Sequence, residues 1–260
     1  MPLFYDQLNR PVNLPSIPKR IISAVPSQTE LLFELGLNAE VTGITKFCIH
    51  PAEKVKAITK IGGTKQLNIE LIKSLQPDLV IANKEENDQK QIEELAALFP
   101  VWVSDISDLG GATDMIGKVG TLVNREPAAN WLILQIMQRF DALHTQPSGL
   151  KAVYLIWRKP YIAAGRNAFI DAMLHYCGLT NALTAGRYPK ITVAYLTAAN
   201  PDVVLLSSEP YPFGDIHIAE IKEILPHAKV LLVDGEMFSW YGSHLLHAPA
   251  YFEQLLTRMV

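Results

Sequence analysis

Residues 68–83 read NIELIKSLQPDLVIAN, and residues 192–207 read TVAYLTAANPDVVLLS. The two stretches share one grammar. Asn68 and Thr192 carry side-chain oxygens of the kind that cap a helix, and each opens a short amphipathic segment, Ile69 to Ile72 and Val193 to Leu196. Pro77-Asp78 and Pro201-Asp202 then stop the helix, because the residue before a proline is driven out of the helical region. Leu79-Val80-Ile81 and Val203-Val204-Leu205 follow as the branched apolar runs expected of strands buried on both faces. The spacing is the same in both, so the chain is read as one unit used twice.

The repeat extends in both directions. Arg20 to Val25 reads as a strand whose helix, Thr29 to Leu35, closes on Gly36; Val153 to Ile156 is its counterpart, with a helix from about Ala168 to Tyr176 closing on Gly178. Downstream, Gln91 to Leu98 and Ile218 to Leu225 are expected helices that feed the strands Val101 to Val103 and Val230 to Val233. Alternation of this kind predicts an α/β fold of two lobes, each a parallel sheet covered by helices. Between them, apolar positions at helical spacing (Met115, Val119, Leu122, then Trp131, Leu132, Leu134, Ile136, Met137, Phe140, Leu143) predict a rigid helical bridge, broken at Asn124 and restarted at Pro127 for about twenty residues. The expected organisation is a lobe over 1–123, a bridging helix over 124–147 and a second lobe over 148–260.

Composition narrows the functional classes. A chain of 260 residues that is 49% hydrophobic and 19% charged buries a sizeable core. The net charge of −3 gives no footprint for nucleic acid, and no window reaches the length of a membrane span. The opening MPLFYDQLNRPVNLPSIPKR shows no cationic region followed by an apolar run, which leaves a cytosolic protein or one whose leader has been removed. Cys48 and Cys177 form no CxxC pair, so a zinc cluster is excluded and a single bridge between them stays open.

Parallel sheets present ligand sites beyond the carboxyl ends of their strands. The loops there hold Pro26 and Ser27, Phe47, Asn83 to Asn87, Trp157 to Arg166 in WRKPYIAAGR, Tyr211 and Phe213, and Trp240 and Tyr241. Aromatics gather in the second lobe, which points to a flat, partly apolar ligand held by stacking, with Arg158 placed to meet its polar substituents. Trp157, Tyr161 and Trp240 are equally the types that close over a core. Cys48 and His50 are a weak candidate pair for a metal, two ligands being too few for a closed site. His244 and His247, three apart in an expected helix, read as structural. No phosphate cradle and no GxSxG elbow occur, and Ser27 has no assignable histidine partner; no catalytic constellation is visible.

Taken in order, Pro18-Lys19-Arg20-Ile21-Ile22-Ser23, the Thr29-Glu30 helix, Gly43, Gly62-Gly63-Thr64, Pro77-Asp78, WRKPYIAAG, Pro201-Asp202 and Met237 to Ser243 resemble the substrate-binding proteins of cobalamin and ferric-siderophore uptake, the class III periplasmic binding proteins with a helical backbone. The resemblance covers nearly the whole chain and leans to the cobalamin-binding branch. It implies a non-enzymatic periplasmic receptor that holds a metal chelate (a corrinoid, a heme or a ferric siderophore) in a cleft between lobes, with no catalytic cofactor, and delivers it to an ABC transporter permease. Trp157 and Tyr161 would then line one wall, and Glu85 and Glu209, equivalent in the internal repeat, would be the carboxylates that dock on permease arginines. A cytosolic chelate-handling protein, a chelatase- or reductase-type enzyme dependent on Cys48 or His50, and an interaction protein with a vestigial cleft are the alternatives.

Overall fold

The computed structural model describes residues 3–144 and 148–259. Both Pro-Asp joints are built alike. The helices Ile69–Leu75 and Val193–Ala199 are capped by Asn68 Oδ1 on the N–H of Leu71 (3.0 Å) and by Thr192 Oγ1 on the N–H of Tyr195 (3.1 Å). Each ends on a left-handed residue, Gln76 (φ 46°) or Asn200 (φ 43°), which swings the chain into the proline. The N–H of Asp78 then donates to the carbonyl of Arg20 at 2.9 Å, and its carboxylate accepts the N–H groups of Lys19 (2.9 Å) and Arg20 (2.8 Å). Asp202 does the same to Lys151, with both bonds at 2.8 Å. Each aspartate thereby pins the start of its own strand to the start of the neighbouring one and fixes their register.

The chain divides into two compact units. One comprises Met1–Ile106, Gly110–Gln135 and Tyr241–Ser243; the other comprises Ser107–Leu109, Ile136–Trp240 and His244–Val260. The first unit contains an all-parallel sheet in the order Thr59–Lys60, Val41–Ile44, Ile21–Ser23, Leu79–Asn83, Val101–Ser104. Ile22, Val80, Ala82, Val101 and Val103 on these strands pack against Ile72, Ile92 and Leu95 from the covering helices. Burial of such branched side chains stabilises by about 1.5–3 kcal/mol each.

The second unit orders its main sheet Lys190–Ile191, Tyr161–Ala163, Lys151–Trp157, Val203–Ser207, Lys229–Val233. The last three strands are parallel. Beside these expected parallel strands the sheet carries an antiparallel edge: Tyr161–Ala163 runs back along Lys151–Trp157, and Lys190–Ile191 pairs antiparallel with it in turn. The reversal follows from Lys159, whose φ of 62° places it in the left-handed region and closes a tight turn ahead of Pro160. WRKPYIAA is therefore a hairpin whose arms share a sheet.

Helices Pro26–Glu34 and Phe169–Tyr176 close just before Gly36 (φ 86°) and Gly178 (φ 75°), left-handed positions that glycine occupies without a Cβ clash. The intervening segment forms two helices, Leu109–Leu122 and Glu126–Asp141. The second is shorter than the expected twenty residues, and the remainder of that expected bridge, residues 145–147, lies outside the described residues. Trp131, Leu134 and Met137, three apart, are exposed along one face of this helix, whereas Leu132, Ile136 and Phe140 are buried. Periodicity located the helix and overstated its apolar face.

Candidate functional site

In the first unit the strand-end loops are polar and densely hydrogen-bonded. Pro26 opens the helix Pro26–Glu34 at a position that needs no N–H. Ser27 follows with a buried hydroxyl that finds no hydrogen-bond partner among the described residues. Gly242 presses on this turn: a Cβ there would lie 2.7 Å from the Ser27 carbonyl oxygen. Phe47 stands 51% exposed, with the Lys46 ammonium 5.1 Å from its ring centre. Asn83 is only 3% exposed. Its Oδ1 accepts the N–H groups of Glu85 (2.8 Å) and Glu86 (3.0 Å), and its Nδ2 donates to Ser104 Oγ (2.9 Å), so the side chain is spent on shaping its own loop. The Tyr241 hydroxyl donates to Glu86 Oε1 at 2.5 Å.

Cys48 is buried between the hydroxyls of Thr29 (3.1 Å) and Thr45 (3.2 Å). Burial pushes its thiol up, against the lowering pull of those two hydroxyls. His50 joins no group of three or more metal-ligating side chains among the described residues. Cys48 and Cys177 are both free and buried, which resolves the possibility of a bridge between them; burial lifts the Cys177 thiol to about 12.

The second unit carries the aromatic and charged groups. Trp157, at the end of its strand, is 39% exposed and meets Tyr211 edge-on at 5.6 Å; Tyr211 meets Phe213 at 4.8 Å. The Gly214 N–H donates to His217 Nδ1 at 2.9 Å, which leaves the ring proton on Nε2, facing the Tyr211 hydroxyl at 3.1 Å. Beside this cluster Arg158 is paired with Glu220: Nε lies 3.0 and 2.8 Å from the two carboxylate oxygens, and Nη2 lies 2.6 Å from Oε2. The Tyr161 hydroxyl makes a short bond to Glu220 Oε1. The Arg158 guanidinium, followed by Tyr161, holds the Glu220 carboxyl below its ordinary range, while burial and then the carboxylate push the Tyr161 phenol up to about 12.

Trp240 belongs to a different set. It is 5% exposed, and its indole N–H donates to Glu209 Oε1 at 2.8 Å, alongside the Ser239 hydroxyl at 3.0 Å. Burial raises the Glu209 carboxyl despite these donors, helped by the nearby charges of Glu236 and Asp234. His244 lies in a short 3-10 turn rather than the expected α-helix, with Nε2 3.5 Å from Glu236 Oε2.

Trp157, Arg158, Tyr161, Tyr211 and Phe213 are thus brought together within one unit, while Trp240 packs around Glu209 and Asn83 serves its loop. Glu220 and His217 escaped the sequence reading. Their signal was present: they lie three apart on the helix Asp215–Ile224, which places them on one face.

With this geometry in hand, comparison with known proteins is informative. The family model described as "Periplasmic binding protein" matches residues 21–225. A vitamin B12-binding protein of Vibrio campbellii is 24% identical over 195 residues, which cover 73% of this chain and 70% of that protein. Among solved structures, the periplasmic vitamin B12 binding protein BtuF of Vibrio cholerae superposes with a TM-score of 0.78 at 20% identity, covering 94% of this chain and 98% of its own. A periplasmic heme binding protein from Pseudomonas aeruginosa does so with a TM-score of 0.79 at 23% identity, covering 92% of each. At these identities the superpositions establish a shared fold.

Proposed function

Since the chain belongs to the periplasmic binding protein family, we propose that it is the substrate-binding protein of an ABC-type uptake system whose cargo is a metal chelate, a cobalamin-like corrinoid in the first instance. The observation that carries this reading is the ring cluster Trp157, Tyr211 and Phe213 at the strand ends of the second unit, with Trp157 open to solvent. Edge-on rings around an exposed indole suit a broad, flat, partly apolar guest. A heme or a ferric siderophore is the alternative cargo, favoured by the same rings.

Glu85 and Glu209 are proposed to meet the permease. Their support is positional equivalence: the N–H of Glu85 donates to Asn83 Oδ1, and the N–H of Glu209 to Ser207 Oγ, each two residues beyond its strand. An enzymatic reading through Cys48 is disfavoured, because burial keeps that thiol protonated and poorly nucleophilic. The test is titration of tryptophan fluorescence with cyanocobalamin, hemin and a ferric hydroxamate. Saturable quenching by one of them is expected; no response to any would overturn the reading.

A further inference from the structure

The Arg158 guanidinium reads from sequence as a free receptor for anionic substituents, yet the structure commits it elsewhere. Its Nε and Nη2 engage both oxygens of Glu220 in the fork geometry that guanidinium and carboxylate adopt by preference. The side chains stay 23% and 30% exposed, so the pair reaches the surface rather than lying in the core. Tyr161 adds a donor to Glu220 Oε1. Beside the Trp157–Tyr211 cluster the protein therefore presents an ion pair with no net charge. A carboxylate has about four acceptor sites, and those of Glu220 are met by Nε, Nη2 and the Tyr161 hydroxyl; a guanidinium carries five N–H donors, of which Nε and Nη2 are the ones directed at Glu220. Of the other polar groups there, His217 Nδ1 is occupied by the Gly214 N–H and its ring faces Tyr211. Lys159 is exposed in the turn, where water and salt screen its charge.

A surface of this kind discriminates among chelates by what hangs from their rim. A carboxamide is uncharged, so its oxygen can accept an Arg158 N–H without bringing a charge against Glu220. A carboxylate brings a second negative charge to Glu220 and finds the cation already neutralised. We infer that Glu220 is a specificity-determining residue that, by neutralising Arg158, selects a chelate with an uncharged, amide-bearing rim over one with a carboxylate-bearing rim. This rests on the reading that the second unit's aromatic loops receive a metal chelate.

The experiment uses three ligands, two with the same corrin ring (dicyanocobinamide with peripheral amides and dicyanocobyrinic acid with carboxylates) and hemin, against the full chain and two variants. Like-charge juxtaposition is strongly unfavourable, so the wild-type protein is expected to bind the amide ligand at least about tenfold more tightly. Glu220→Gln keeps the shape and an acceptor oxygen while freeing the Arg158 charge, and should shift that ratio toward the carboxylate ligand by about tenfold. Arg158→Gln leaves Glu220 uncompensated and should move the ratio the opposite way. A purely structural role would weaken both ligands together in both variants. Equal wild-type affinities, or a ratio unmoved by Glu220→Gln, overturns the inference while leaving chelate binding intact. Binding of hemin in preference to both corrins also overturns it, and no binding of any of the three defeats the chelate reading itself.

Discussion

Trp240 and Glu209, 31 residues apart, are joined by an indole N–H donating to a carboxylate oxygen at 2.8 Å, in a setting where burial outweighs that donor and raises the carboxyl. The charged form of Glu209 is thus held at a cost that its partners only partly offset. A group whose folded value is raised contributes stability that is fully present below its ordinary value and lost as pH rises through the raised one.

Glu209→Gln removes that cost and keeps an oxygen for the indole and for Ser239. The variant is expected to melt above the wild-type protein at pH 7, with the difference shrinking as pH falls through the raised value and levelling off by about pH 4, where the carboxyl is protonated in both the folded and unfolded chain. Thermal melts across this range check it; a variant less stable at pH 7 than at pH 4, relative to wild type, contradicts it.

Asp78 and Asp202 perform one task in two places, but the Asp78 carboxylate accepts two backbone N–H groups and that of Asp202 one, so the loss of Asp78 should cost more. Asp78→Ala removes the acceptor of two exposed backbone N–H groups and Asp202→Ala that of one, a loss of about 0.5–1.5 kcal/mol per bond. The two share no partner, so the double variant should show the sum to within about 0.5 kcal/mol. Denaturant unfolding measures both terms, and a larger loss for Asp202→Ala than for Asp78→Ala would contradict this reading.

Trp157→Ala should weaken cyanocobalamin binding by roughly three- to tenfold, the worth of one aromatic contact of about 0.5–1.5 kcal/mol. It should leave the melting temperature nearly unchanged, because the indole is substantially exposed. Calorimetric titration alongside a melt separates the two effects, and unaltered affinity would remove Trp157 from the binding surface.

The repeat was legible because its signals are local: a capping side chain, a proline that ends a helix, an aspartate at a fixed step beyond it, and a branched apolar run. The hairpin at Tyr161–Ala163 was not, since three residues give no periodicity and the turn depends on one left-handed lysine. Asn83 was readable as a loop residue, but not as one whose side chain is consumed by the N–H groups of Glu85 and Glu86. Trp157 and Trp240 look alike at strand ends, and only packing separates an open ring from a buried one. Glu220 lies 62 residues from Arg158 on a helix whose charged positions resemble any solvated face, so its pairing is a property of the tertiary fold.

The Pro-Asp joints stand at the entrances of Leu79–Asn83 and Val203–Ser207, whereas the rings and loops discussed above follow strand exits. The joints that fix strand register and the proposed cargo-facing rings thus lie at opposite ends of their strands. On the proposed function, mutational drift at one rim would retune what is carried while the other preserves the scaffold, which would make this architecture tolerant of evolutionary retooling.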